Sequence, residues 1–187
     1  MAPRDSAATK QRILDAATAE FSEYGLAGAR VDRIAARAGA NKQLIYAYFG
    51  SKEGLFDAAV EANIAVLLDA VPFDAYDLPN YAASLFDFGV AHPELVRLLR
   101  WHQLERPGVL NQLPQTAESN LRKLRAITEA QAAGKVTSAL PPDQLLGLML
   151  ALAHGGAETH AGAAPEPLAV QREALMAGVH RLTDPAI

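Results

Sequence analysis

The chain contains no cysteine among its 187 residues, so disulfide bonds and cysteine-based metal or redox sites are excluded. It also has no nucleophile elbow, no phosphate-binding glycine loop and no metalloprotease motif. Its longest apolar runs fall far short of the roughly 20 residues that a membrane-spanning helix needs. We therefore expect that the protein is not an enzyme and does not span a membrane.

Metal ligands are also scarce, with five histidines in all. His154, Glu158 and His160 lie close together in sequence, but two glycines interrupt the helical pattern between them and their spacing matches no known metal motif. The sequence therefore predicts no metal site and no cofactor. The N-terminal segment MAPRDSAATKQR carries charges and no apolar core, so we expect no signal peptide and a cytoplasmic location.

The net charge of -4 conceals an uneven distribution. Residues 1–52 hold eight Lys or Arg against five Asp or Glu, whereas the remaining 135 residues hold nine against sixteen. A basic end on an acidic body is typical of a protein that contacts nucleic acid with one end only. Half of the residues are hydrophobic, which is enough for a substantial core.

Two short helical patterns lie on either side of a glycine in residues 31–52. The first helix has an apolar face at i, i+3, i+4 and i+7, and Gly39 follows as its expected left-handed C-cap. Asn41 is a suitable N-cap for the second helix, which we predict over Lys42 to Phe49. Two helices joined by such a turn predict a helix-turn-helix, whose second helix enters the DNA major groove.

The outer face of the second helix suits base recognition. Lys42, Gln43 and Tyr46 share it, while Ile45 and Phe49 face inward. Lysine can donate to guanine, glutamine can pair with adenine, and tyrosine can reach a phosphate or a thymine methyl group. The alternative is that these side chains form only the solvated faces of small helices.

From about Thr9 to Leu55 the chain resembles the N-terminal DNA-binding domain of the TetR family of bacterial transcriptional repressors. Three positions depart from the family's pattern: Arg30 stands in place of a capping threonine, Gln43 in place of a small residue, and Tyr48 in place of a histidine. The positions that match are Phe21, Gly25, Ile34, Ala35, Ala38, Gly39, Ile45, Tyr46, Phe49, Ser51, Lys52 and Glu53.

This resemblance implies an all-α fold of about nine helices. A three-helix DNA-binding domain would occupy residues 1–52, and a larger helical domain for ligand binding and dimerisation would occupy 53–187. We expect Lys42, Gln43 and Tyr46 to lie close to the bases. The predicted phosphate contacts are Arg30, Tyr48 and Lys52, with Arg33 and Arg37 as further candidates.

The helical body offers candidates for a ligand cavity and for a dimer interface. Aromatic walls with one or two polar groups suit a largely apolar small molecule, and we expect Tyr81, Phe88, Trp101, His102 and Met149 to line such a cavity. The alternative for His102 is a hydrogen-bonded histidine of the core. In the helix predicted from Pro114 to Ala133, we expect Leu121, Leu124 and Thr128 to face inward, with Ile127 adjacent to them. Arg122, Lys123 and Arg125 would then form solvated surface or a second phosphate patch.

Residues 145–153 are apolar on every side, so the helix that contains them must be buried on every side. Gly147, Ala151 and Gly155 form a ridge of small residues that lets another helix approach closely. We expect the last two helices, at about 143–160 and 168–182, to pair with their copies in a homodimer, as TetR-like proteins do. The alternative is tight packing within one chain.

These features predict a sequence-specific regulator of transcription, most simply a repressor. A two-fold dimer implies a pseudo-palindromic operator on double-stranded DNA, and a small-molecule effector would release the protein from it. The alternative is a helical ligand-binding or partner-binding protein with a vestigial helix-turn-helix. Turnover of a bound ligand would instead mark an enzyme.

Overall fold

The computed structural model describes residues 3–155 and 167–186, and these residues form an all-α fold. The predicted fold class of about nine helices is confirmed for that part of the chain, where no helix is long and apolar enough to cross a membrane. The α-helices are α1 Pro3–Gly28, α2 Val31–Ala38, α3 Lys42–Phe49, α4 Lys52–Ala70, α5 Leu78–Ala91, α6 Pro93–Glu105, α7 Pro114–Ala132, α8 Pro142–Gly155 and α9 Leu168–Thr183, with a 3-10 helix at Leu110–Gln112.

The chain divides into two compact units. The first unit comprises Met1–Val66 and Pro93–Ala117, and the second comprises Leu67–His92 and Glu118–Ile187. This division differs from the boundary predicted after residue 52, because most of α4 and all of α6 belong to the first unit. The functional division at residue 52 stays a prediction.

Glycines and caps fix the ends of the first helices. Gly25 interrupts α1 with φ 66° and ψ -175°. Gly39 ends α2 with φ 62°. Asn41 caps α3, because its side-chain oxygen accepts a hydrogen bond from the amide of Leu44 at 2.7 Å.

The first unit has an aromatic and aliphatic core. Phe21 of α1 and Phe56 of α4 pack with ring centroids 4.7 Å apart, and Ile45 anchors α3 to this core with no exposed surface. Burial of one such side chain contributes about 1.5 to 3 kcal/mol. The other fully buried large side chains of the unit are Ile13, Ile34, Leu55, Leu98 and His102.

The second unit is built around buried residues from α5, α7, α8 and α9. Asp77 caps α5 by accepting from the amide of Asn80 at 3.2 Å. The cluster's buried members are Val71, Ala75, Leu78, Tyr81, Ala82, Leu85, Phe86, Ile127, Ala130, Val136, Leu145, Leu146, Met149, Ala153, Leu175 and Val179.

The predicted inward face of α7 is wrong. Leu121 is 57% exposed and Thr128 is also exposed, and only Leu124 of the three predicted residues packs against the core. The buried face instead contains Ser119, Lys123, Ile127 and Ala130. The helix is therefore rotated relative to the prediction, and Lys123 lies inside rather than on a solvated surface.

Helix α8 buries one side and exposes the other. Leu145, Leu146, Met149 and Ala153 are buried, whereas Leu148 and Leu152 remain nearly half exposed. Helix α9 buries Leu175 and Val179, whereas Leu168 at its start is exposed. The predicted cluster at His154, Glu158 and His160 lies partly outside the described residues, which contain His154 alone of the three.

Candidate nucleic-acid interface

Helix α3 exposes the side chains that the sequence assigns to base recognition. Lys42, Gln43 and Tyr46 are all exposed, with 44% of Tyr46 accessible, while Ile45 on the opposite side is completely buried. The structure therefore brings the three predicted side chains together on the free side of one short helix.

Two predicted arginines take part in ion pairs within the first unit. Arg30 bonds Asp32 at 2.8 Å, and this contact lowers the pKa of that carboxyl group. Arg33 donates from Nε to the buried Glu20 at 2.7 Å, and its guanidinium lies 4.4 Å from the ring centroid of Tyr24. Arg30 remains largely exposed, whereas Arg33 neutralises a buried carboxylate and fixes α2 against α1.

The other predicted phosphate contacts surround the recognition helix. The Lys52 ammonium donates to the carbonyl oxygen of Ala27 at 3.3 Å, which leaves two of its three donors. The Tyr48 hydroxyl is 3.0 Å from Ser6 Oγ, and Arg37 is exposed at the end of α2. Ser51 Oγ accepts from the amide of Gly54 at 3.0 Å and caps α4.

A residue outside the predicted DNA-binding domain holds the last turn of α1, directly after the kink at Gly25. The carboxylate of Glu105, the last residue of α6, accepts hydrogen bonds from the amides of Leu26 and, at 2.9 Å, Ala27. A Cβ atom at Gly25 would lie 2.8 Å from both Glu105 and Trp101. Gly25 is therefore required by space as well as by its positive φ.

A buried polar network joins α4 and α6 in the same unit. Asp57 accepts from Arg106 Nε at 3.1 Å, and its Oδ1 lies 2.9 Å from Nε2 of His102. His102 has no exposed surface, which agrees with the interpretation of a core histidine. No sequence motif predicted these contacts, because the bonded residues are far apart in the chain. Asp57 and His102 are 45 residues apart, and Glu105 is 78 to 79 residues from Ala27 and Leu26.

The residues predicted to line a ligand cavity fall into both units. Trp101 and His102 belong to the first unit, and Tyr81, Phe88 and Met149 belong to the second. A cavity of about 300 Å³ in the second unit contacts none of the five, although Tyr81 lies close behind it. Its walls are formed by Leu68, Val71, Phe73, Ser119, Arg122, Lys123 and Ala126.

Both parts of the chain match family models. Residues 13–59 match the model described as bacterial regulatory proteins, tetR family. Residues 77–181 match the model described as tetracyclin repressor-like, C-terminal domain. The two matches include α3 and nearly all of the second unit.

Individual proteins agree with these matches. The chain is 46% identical over 157 residues to the HTH-type transcriptional repressor SCO4008 of Streptomyces coelicolor, covering 82% of this chain and 81% of that protein. SCO4942 of the same species, described as a transcriptional regulator, has a crystal structure with a TM-score of 0.77 and 34% identity, covering 94% of this chain and 98% of that one.

A more distant structure shares the fold alone. FadR of Bacillus subtilis, solved in complex with stearoyl-CoA, has a TM-score of 0.68 at 18% identity, covering 90% of this chain and 96% of that one. The family and the named relatives are regulators rather than enzymes. On the family matches and the 46% identical repressor, the chain belongs to the TetR family of DNA-binding transcriptional regulators.

Proposed function

We propose that the protein is a homodimeric repressor that reads a pseudo-palindromic operator with α3 and leaves it when a small molecule binds the second unit. The observation that carries the DNA-reading part is the exposed face of Lys42, Gln43 and Tyr46 on a helix anchored by the buried Ile45. A helix with fixed orientation and free polar side chains is what major-groove recognition needs.

The contacts divide into two kinds. Lys42, Gln43 and Tyr46 are proposed to contact base edges and so to determine the sequence. Arg30 and Lys52 are proposed to contact phosphates, because both are accessible cations beside α3. Tyr48 and Arg37 are proposed as further phosphate contacts. Arg33 is also proposed, although its ion pair with Glu20 leaves fewer of its donors for a phosphate.

The dimer is proposed to form through α8 and α9. The outer side of α8 is apolar, with Leu148 and Leu152 exposed beside Gly147 and Ala151. A Cβ atom added at Gly147 or Gly155 would meet no described atom within 4 Å, so packing among the described residues does not explain the small-residue ridge. A two-fold copy that packs against this face would bury it.

A dimer of this kind fixes the form of the operator. Two-fold symmetry relates the two recognition helices, which are expected to be one DNA turn apart, about 34 to 36 Å, or a multiple of that distance. The half-sites should therefore be inverted repeats with a constant spacing.

Effector control is proposed because TetR-family regulators bind small-molecule effectors and because the second unit contains a cavity. FadR holds stearoyl-CoA in a chain of similar fold, which supports the capacity of this fold to bind a small molecule. Release requires that the effector bind the DNA-free conformation more tightly, because equal affinity for both conformations shifts nothing. The absence of a membrane-spanning helix among the described residues is compatible with the proposed cytoplasmic location.

A selection experiment tests the DNA-reading proposal. The purified protein is incubated with a random duplex library, and the bound fraction is recovered at moderate salt and sequenced. Enrichment of a two-fold related motif is expected. Recovery of unselected DNA, or of none, would refute sequence-specific reading and favour the alternative of a vestigial helix-turn-helix that serves a ligand-binding or partner-binding protein.

Two variants then separate base contacts from phosphate contacts. Lys42→Ala should cost about 1 to 3 kcal/mol on the selected operator and relax the preference for one base pair. Lys52→Ala should weaken binding to every sequence and reduce the salt slope by about one for each half-site. Lys135→Ala, an exposed lysine of the second unit, is the matched control and should change neither quantity. An unchanged salt slope in Lys52→Ala would remove that residue from the phosphate contacts.

A further inference from the structure

A lysine lies buried in the second unit without an acidic partner. Lys123 of α7 is only 8% exposed, and no described carboxylate forms an ion pair with it. Its ammonium lies 5.4 Å from the ring centroid of Tyr81 and 5.9 Å from that of Phe73. Such contacts with ring faces contribute about 0.5 to 2 kcal/mol, which is less than the several kcal/mol that burial of an ion costs.

The surroundings of Lys123 disfavour its charged form. Burial and, to a smaller extent, the nearby Arg122 together lower its pKa to about 8. Burial also raises the pKa of Tyr81 to about 12, so this phenol is neutral near pH 7 and supplies no negative charge. Arg122 and Tyr81 are the ionisable groups beside the ammonium, whereas α4 and the segment after it contribute Leu68, Val71 and Phe73.

The ammonium lines the cavity of about 300 Å³, which lies at the small end of the range for ligand sites. Leu68, Val71, Phe73 and Ala126 form the apolar part of the wall, and Ser119 contributes a buried hydroxyl-bearing side chain. Arg122, the other cation of the wall, already donates to Glu118 at 2.7 Å. The cavity therefore combines an apolar part with one cation that lacks a counter-ion among the described residues.

We propose that this cavity binds an effector that has a carboxylate on an apolar body, with the carboxylate paired to the Lys123 ammonium and the body against Leu68, Val71 and Phe73. A carboxylate supplies the missing counter-charge with two acceptor oxygens. A phosphate carries more charge and three strong acceptors, which is more than the one unpaired cation of this wall would satisfy. A cationic ligand would face a like charge at close range.

The proposal rests on the proposed function, because it names the class of effector that acts on the repressor. Binding is therefore measured separately from operator release. The probes are two matched sets, 2-naphthoate with 2-naphthamide and 2-naphthylmethylamine, and octanoate with octanamide and octylamine. Each set keeps one apolar body and changes only the polar group. Calorimetry with the DNA-free full chain at pH 7 gives the affinities.

Three variants test the role of the ammonium. Lys123→Met keeps the length of the side chain but removes the charge, and it should weaken carboxylate binding by about 10- to 100-fold. Lys123→Arg keeps the charge and should retain part of the affinity. Arg125→Met removes an exposed cation two residues further along α7 and should leave the affinity unchanged.

The outcomes separate the two proposals. Tighter binding of a carboxylate than of its amide and amine, lost in Lys123→Met and kept in Arg125→Met, supports the proposed class. Absence of carboxylate binding, equal binding of the amide or amine, or equal binding by Lys123→Met overturns it. Fluorescence anisotropy on the selected operator then reports release. If only an amine or a neutral compound releases the protein from the operator, effector control is supported but the role of Lys123 is refuted.

Discussion

Replacing Lys123 by methionine should stabilise the DNA-free protein at neutral pH. The folded-state pKa of about 8 lies below the ordinary value of 10.5, so the unfolded chain binds the proton more tightly than the folded chain does. The penalty for the buried ammonium is complete below pH 8. It is relieved as pH rises from about 8 to 10.5, where the amine becomes neutral in both states. Methionine carries no such penalty at any pH.

The size of the effect follows from that difference in pKa. The fall from 10.5 to about 8 corresponds to about 3 kcal/mol, at about 1.36 kcal/mol for each unit of pKa. The variant loses the attraction between the ammonium and the rings of Phe73 and Tyr81, about 0.5 to 2 kcal/mol. A thioether beside the same rings recovers about 0.3 to 1.5 kcal/mol of this. We therefore expect Lys123→Met to be about 2 kcal/mol more stable at pH 7.

Urea unfolding followed by far-UV circular dichroism measures the difference, at one protein concentration because dimerisation adds to the apparent stability. The advantage of the variant should shrink by about 2 kcal/mol between pH 7 and pH 9.5 as the wild-type amine loses its proton. Arg125→Met is the control, and as an exposed substitution it should remain within about 0.5 kcal/mol of the wild type. A less stable Lys123→Met at pH 7, or a difference that does not change with pH, would refute the reasoning.

Three further changes test other parts of the structure. The dissociation constant of 2-naphthoate, measured by calorimetry, should rise about 10-fold for each pH unit above about 8 in the wild type, because the ammonium is lost, and should stay flat in Lys123→Arg. Gly147→Leu should give a folded monomer by sedimentation velocity, because the added Cβ meets none of the described atoms but the side chain blocks a partner helix; a dimer of normal affinity would place the interface elsewhere. Glu105→Gln should lower thermal stability by about 1 to 3 kcal/mol and weaken operator binding, because it removes the charge from bonds to the amides of Leu26 and Ala27; unchanged operator affinity would limit Glu105 to stability.

The helix-turn-helix could be predicted because its signals are local. Gly39 adopts the left-handed conformation expected of a C-cap, and Asn41 forms the expected cap bond four positions before the buried Ile45. Each of these effects depends on residues within one or two helical turns. The positions of Lys42 and Tyr46 then follow from helical periodicity alone.

The inward face of α7 could not be predicted in the same way. Leucine spacing favours Leu121 and Leu124 as core positions, and lysine normally lies on the surface because it is charged. Rotation of the helix buries Ile127 and Lys123 instead, because the aliphatic stem of a lysine packs as apolar surface and the rings of its neighbours accept the cation. The partners of that cation come from other helices, and periodicity within α7 contains no information about them.

The position of the DNA-reading helices depends on residues that the sequence assigns to the other function. Glu105 lies more than fifty residues beyond the predicted domain boundary, yet its carboxylate binds the amides in the last turn of α1, where Lys52 also donates to Ala27. Helix α6 therefore belongs mechanically to the DNA-binding unit. Helices α4 and α7 each contribute residues to both units, so neither helix can be assigned whole to one predicted function.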